Sequence, residues 1–159
     1  MPRLRVKIKI NVMGELIYTF KVDASYDLKR KVTGIGIVIH ETDKPRKNGI
    51  VIDEISELYS DIQANVTEKF AIFRALEIAL ERNYEIVRIR SDYNYMRKQL
   101  KKDHKMNTEN ERNDLHGLII RYAKKFKEVK FLYQPRRKNH AAHRLARKAV
   151  EELTPKKLK

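Results

Sequence analysis

Val22-Asp23-Ala24-Ser25 and, after a polar stretch, Gly34-Ile35-Gly36-Ile37-Val38-Ile39 are the residues from which the fold can be read. Upstream of Asp23, Leu16, Tyr18, Phe20 and Val22 alternate with other residues, the period of a strand with one buried face. Residues 24–31 are polar and charged and predict a turn. The apolar run that follows is a second strand, and its two glycines remove side chains where something packs close. Further out, Leu4, Val6, Ile8 and Ile10 alternate with basic residues, and Met13-Gly14-Glu15 supplies a turn, so an extra N-terminal strand is expected. Downstream, Pro45, Asn48 and Gly49 mark a loop. Ile50, Ile52 and then Ile55 predict a third strand that changes phase at a bulge.

The periodicity then becomes helical. Val66, Phe70, Phe73, Ala75, Leu76, Ala79 and Leu80 predict a helix with Thr67 as its N-cap and an end near Asn83. Ile86-Val87-Arg88-Ile89 is a short strand ending at Ser91-Asp92. A short helix over 93–100 and a charged loop over 101–110 follow. Leu115, Leu118, Ile119, Tyr122 and Phe126 mark another helix, and Val129, Phe131 and Tyr133 another strand. A basic loop leads into a last helix carrying Ala141, Ala142, Leu145, Ala146, Ala149 and Val150, which Pro155 stops. Three antiparallel strands followed by strands that each come after a helix describe an α/β fold with parallel additions to the sheet.

Charge is the outlier of the composition. The 159 residues hold 36 Lys+Arg against 21 Asp+Glu, a formal net charge of +15. Most of that excess lies in residues 100–159. A chain that tolerates such self-repulsion is expected to have a polyanionic partner, here nucleic acid. No apolar run approaches the roughly 20 residues needed to span a bilayer, so no membrane role is expected. The alternating N-terminus lacks the continuous apolar core of a signal peptide. With no cysteine there is no disulfide and no thiolate metal site. A cytoplasmic location is the expectation.

Four motifs, in order and on fitting elements, resemble the ribonuclease H family. Val22-Asp23-Ala24-Ser25 at a strand end resembles the family's Asp-Gly-Ser, with Ala24 in place of Gly. Thr67 through Leu80 is similar to the helix pattern Thr-x-x-x-Ala-Glu-x-x-Ala-Leu. Ile89-Arg90-Ser91-Asp92 ends a strand in an acid, and Asn139-His140-Ala141-Ala142-His143-Arg144-Leu145-Ala146 resembles Asn-x-x-Ala-Asp-x-Leu-Ala. The resemblance implies a mixed five-stranded sheet with helices on both faces over residues 16–153. Residues 1–15 would be an N-terminal strand extension and 154–159 a basic tail.

The resemblance also implies two-metal phosphodiester hydrolysis, in which four carboxylates hold two Mg²⁺ ions. Asp23 and Asp92 stand at the first and third of these positions. With the register set on Ala71 and Ala75-Leu76, the second falls at Ile72. The fourth falls at His143, whose nitrogen suits Mn²⁺ better than Mg²⁺. Glu68, one helical turn before Ile72, is a candidate substitute for the missing acid. Catalytic candidates are thus Asp23, Asp92, His143 and Glu68, with Asp23 and Asp92 as ligands of a weakly bound Mg²⁺ or Mn²⁺.

Candidate phosphate contacts are Arg136, Arg137, Lys138 and Asn139, then Arg144, Arg147 and Lys148 along the last helix. Lys101 and Lys102 flank the polar loop, and Asn65 and Thr67 open the first helix. The expected function is binding of RNA/DNA hybrid or structured RNA with lost or reduced cleavage. Two alternatives stand beside it. One is an active hybrid-specific endoribonuclease with a remodelled metal site. The other is a structural RNA-binding component of a ribonucleoprotein particle such as the ribosome.

Overall fold

The computed structural model describes residues 15–93 and 115–156. Three strands come first: β1 (Ile17–Asp27), β2 (Val32–Thr42) and β3 (Ile50–Tyr59). Then follow α1 (Thr67–Glu81), β4 (Ile86–Ser91), α2 (Leu115–Ala123), β5 (Glu128–Tyr133) and α3 (His140–Glu152). The strands form one five-stranded sheet in the order β3-β2-β1-β4-β5. The β1–β2 and β2–β3 pairs are antiparallel, and β1–β4 and β4–β5 are parallel. This is the α/β architecture expected from the sequence. The expected N-terminal strand over Leu4 to Asn11 and, apart from Tyr93, the short helix over 93–100 lie outside the described residues.

Two local features differ from the sequence reading. The turn expected over 24–31 is shorter, because Ser25, Tyr26 and Asp27 continue the ladder opposite Gly34, Thr33 and Val32. The chain reverses only after Asp27, whose Oδ1 accepts from the backbone N–H of Lys29 and Arg30, and Lys31 takes the left-handed conformation at φ 54°. Thr67 is not the N-cap of α1. A 3-10 turn over Ala64–Val66 precedes the helix, Val66 occupies the cap position, and the Thr67 hydroxyl donates to the Ala64 carbonyl at 3.3 Å. The expected bulge in β3 is present: Ile39 pairs with Asp53 and His40 with Val51, leaving Ile52 as the extra residue.

The core lies between the sheet and the pair α1 and α2. Phe20, Val22, Ile35, Ile37 and Ile39 of the sheet meet Ile72, Ala75, Leu76 and Ala79 of α1 and Ile119 of α2, all fully buried. Each large apolar side chain buried there contributes about 2 kcal/mol relative to exposure. At one side of this layer Arg74 of α1 holds the buried Glu57 of β3 through two hydrogen bonds of 2.7 and 3.0 Å. The Glu57 carboxyl also accepts from the Tyr59 hydroxyl at 3.0 Å.

The opposite face of the sheet receives α3. A Cβ on Gly34 would stand 2.1 Å from the Ala146 carbonyl oxygen, and one on Gly36 2.0 Å from that of Ala142. The glycines of β2 and the alanines of α3 therefore bring backbone against backbone. That contact sets where every side chain of α3 falls. Beyond α3 the chain pairs again with β3: the Lys156 N–H donates to the Leu58 carbonyl at 2.6 Å. The Ser60 N–H donates to the Lys156 carbonyl at 3.2 Å.

Candidate active site and nucleic-acid interface

Strand register places the first two acids. In the parallel β1–β4 pair the last partners are Lys21 and Arg90, so Asp23, still within β1, and Asp92, just past β4, stand side by side where the parallel ladder ends. Crevices at such strand ends are where open α/β sheets bind ligands. Asp23 is buried, and Asp92 follows directly on β4. The third acid is Glu68, in the first turn of α1. Asp23, Glu68 and Asp92 each offer a carboxylate oxygen, and these atoms lie within 4.8 Å of one another.

Ile72 is not the residue that α1 brings to this cluster. It is fully buried in the hydrophobic core, and Glu68, one turn earlier, stands with the two aspartates. The physical reason for the displaced register is the repeat of α1 itself. Ala71, Ala75 and Ala79 recur every four residues, so a pattern anchored on Ala-x-x-x-Ala fits equally one turn away. Moved by that turn, Glu68-Lys69-Phe70-Ala71-Ile72 satisfies Glu-x-x-Ala-Leu with Ile for Leu.

Three acids so close together cannot all ionise at ordinary cost. Burial, then the charges of Asp23 and Asp92, push the Glu68 carboxyl up to about 8, against a smaller downward pull from Arg136. Burial also raises the Asp23 carboxyl, opposed by its hydrogen bond to His143. Glu68 Oε2 is buried without a hydrogen-bond partner. An orphaned carboxylate oxygen beside two further carboxylates is a donor set for a hard divalent cation, and all-oxygen ligation suits Mg²⁺ or Mn²⁺. The residues present thus fit the metal that the sequence resemblance implies.

His143 comes from the first turns of α3. Its Nδ1 lies 2.8 Å from Asp23 Oδ2. That contact follows from the close packing of Gly36 on Ala142, because Gly36 is the residue opposite Asp23 in the β1–β2 ladder.

The basic candidates divide in two. Arg136, Arg137 and Lys138 form an exposed 3-10 turn before α3, and Arg144, Arg147 and Lys148 are exposed along the helix. A groove of about 600 Å³ runs from His143 and Arg136 past Arg147 to the β1–β2 turn at Tyr26, Leu28 and Lys29. Lys29 and Tyr26 were not singled out from the sequence. The polar turn over 24–31 was the only signal there.

Asn139, expected to meet nucleic acid, faces inward. It is 1% exposed and its Nδ2 donates to the Val22 carbonyl at 2.8 Å, fastening the start of α3 beside Asp23. Thr67 is likewise buried, whereas Asn65 is exposed. Lys101 and Lys102 lie outside the described residues.

A mixed sheet in this order, with one acid within β1, one just after β4 and a third supplied by α1, defines a ribonuclease H-like, nucleic-acid-binding nuclease fold. The chain belongs to the Reverse transcriptase-like family, whose profile matches residues 21–149. Similar solved structures include the N-terminal RNase H domain of rv2228c from Mycobacterium tuberculosis, at 19% identity and a TM-score of 0.68, covering 86% of this chain and 95% of that one. RNase H1 from Halobacterium salinarum matches at 21% identity and a TM-score of 0.66, covering 86% and 98%. LC11-RNase H1, solved with an RNA/DNA hybrid, matches at 22% identity and a TM-score of 0.64, covering 87% and 98%. No curated protein sequence matches the chain at a significant level.

Proposed function

We propose that this protein is a divalent-metal-dependent endoribonuclease that cleaves the RNA strand of an RNA/DNA hybrid. In this reading Asp23, Glu68 and Asp92 hold the metal and His143 stands at the fourth position. The observation that carries it is the convergence of three carboxylates within 4.8 Å at the strand ends. Hybrid as the substrate class draws support from the LC11-RNase H1 complex and from the family.

Mg²⁺ or Mn²⁺ bound by these acids supplies the positive charge that in-line phosphodiester hydrolysis requires. The side chains do the rest. Asp23 and Asp92 lie two residues beyond the last β1–β4 partners, so the ladder brings their backbones together before a metal is bound. Glu68 gives up its raised proton affinity when it meets a cation. Arg136, close enough to Glu68 to lower its proton affinity, offers a planar guanidinium to a phosphate of the bound strand. His143 is oriented through Nδ1 by Asp23, which leaves Nε2 to move a proton at the reacting phosphate. Lys29 and Arg147, lining the groove beyond His143, hold the continuing phosphate chain.

The three acids offer only oxygen donors, which suit Mg²⁺ and Mn²⁺ alike. The test is cleavage of a labelled hybrid in Mg²⁺ and in Mn²⁺ by the wild type and Asp23→Asn. Cleavage that needs metal and is abolished by the substitution supports the proposal. Hybrid binding without cleavage in either metal overturns it and leaves a binding protein.

A further inference from the structure

The sheet face that receives α3 continues beyond the helix, and its residues there are basic. Alternation along β1 puts Thr19 and Lys21 on the same face as Asp23. Register adds His40 of β2 opposite Thr19, and Arg88 and Arg90 of β4 opposite Thr19 and Lys21. Helix α3 packs chiefly on β2, β1 and β3, so β4 is left outside its cover. Four cationic or ionisable basic side chains therefore stand on three adjacent strands.

Among the described residues Lys21, His40 and Arg90 make no side-chain hydrogen bond, and no carboxylate forms an ion pair with Lys21, Arg88 or Arg90. Arg88 donates only to the Pro45 carbonyl. Thr19 Oγ1, His40 Nδ1 and Arg90 Nε are buried without any partner, and His40 as a whole is only 9% exposed. The acids nearest by register do not answer the charge: Asp23 is engaged by His143, Asp92 stands in the carboxylate cluster, and Glu54 lies opposite Val38 on β3, two strands from Lys21. An unsatisfied buried donor costs about 1–3 kcal/mol, and here several such donors converge beside like charges.

We propose that Lys21, His40 and Arg90, with Thr19 beneath them, form a second site that binds a phosphate oxyanion. The oxygens of one phosphate accept from Arg90, Lys21 and a ring N–H of His40, and its negative charge removes the mutual repulsion. The site lies two residues, about 7 Å by strand rise, behind Asp23 on the same face. It is separate from the carboxylate cluster and does not depend on hydrolysis. The phosphate can come from a nucleic-acid backbone passing over the sheet or from a free phosphate compound.

The test is the melting temperature of the wild type, Lys21→Met and Arg90→Met in inorganic phosphate against chloride of equal ionic strength. Methionine keeps most of the volume and removes a buried like charge, so both variants are expected to fold, with circular dichroism as the check. The wild type should gain about 3 °C at ten times the dissociation constant, a shift suited to a domain of this length. Both variants should lose that gain. A salt titration of hybrid binding separates the sources. If the slope of log K against log salt falls by about 1 in Arg90→Met, the ligand is a backbone phosphate. If the phosphate shift is lost but the slope is unchanged, it is a free phosphate. No shift in the wild type, or an equal shift in both variants, overturns the proposal.

Discussion

His143 Nδ1 sits 2.8 Å from Asp23 Oδ2, and the residue paired with Asp23 across the ladder, Gly36, is the one against which the helix carrying His143 is pressed. The pair is thus set by backbone packing as well as by side-chain choice. His143→Ala is expected to lower kcat for hybrid cleavage by about 100-fold, the scale of a lost proton-transfer group. Hybrid affinity should stay within about threefold, because phosphate binding rests on other residues. Steady-state kinetics beside a direct binding measurement checks the split.

Gly36→Ala tests the packing that creates that geometry. The added methyl would begin 2.0 Å from the Ala142 carbonyl oxygen, on rigid backbone from two elements. A loss of about 3 kcal/mol in chemical denaturation is expected, at the upper end of overpacking costs. Cleavage by the folded fraction should fall as well, since α3 must shift and carries His143 with it.

Ile72→Glu separates the two registers of α1. Ile72 is fully buried in the core, so a carboxylate there loses apolar contacts and is itself desolvated. The expected result is destabilisation of at least about 3 kcal/mol and no gain of cleavage. A variant that cleaves faster than the wild type would return the second acid to position 72.

Without metal, the acid cluster makes stability depend on pH. Glu68 is pushed up to about 8 in the folded protein from an ordinary 4.5. Between those values the folded state binds more protons than the unfolded state, so stability falls as pH rises through that window. In a chelator the melting temperature should therefore be higher at pH 5 than at pH 8. A divalent ion reverses the penalty by replacing the proton. Mn²⁺ should raise the melting temperature more at pH 8 than at pH 5, and thermal denaturation in the four conditions measures this.

Much of this was legible in the sequence because it rests on period. Alternation in β1, the bulge in β3 and the spacing of Val66 to Leu80 each declare their element, and the structure forms all three. Asp23, Asp92 and His143 stand out as candidates because each lies in a motif with no internal repeat. Glu68 was harder to place for the opposite reason: the four-residue alanine repeat of α1 leaves its register open by one turn, and only packing decides which turn faces the acids. Asn139 shows a second limit. A polar residue beside an arginine run reads as surface, yet here its amide is spent on the Val22 carbonyl. The basic sheet face was invisible for a third reason. Lys21, His40, Arg88 and Arg90 are scattered in sequence and meet only through the register of three strands.

The central claim is that Glu68 completes a working metal site with Asp23 and Asp92. The most direct measurement is the rate of hybrid cleavage in saturating Mn²⁺ by Glu68→Gln, which keeps the shape and removes the charge. The account predicts a loss of at least about 100-fold, the scale of several kcal/mol of transition-state stabilisation, in a protein that folds and still binds hybrid. A rate within threefold of the wild type would contradict it.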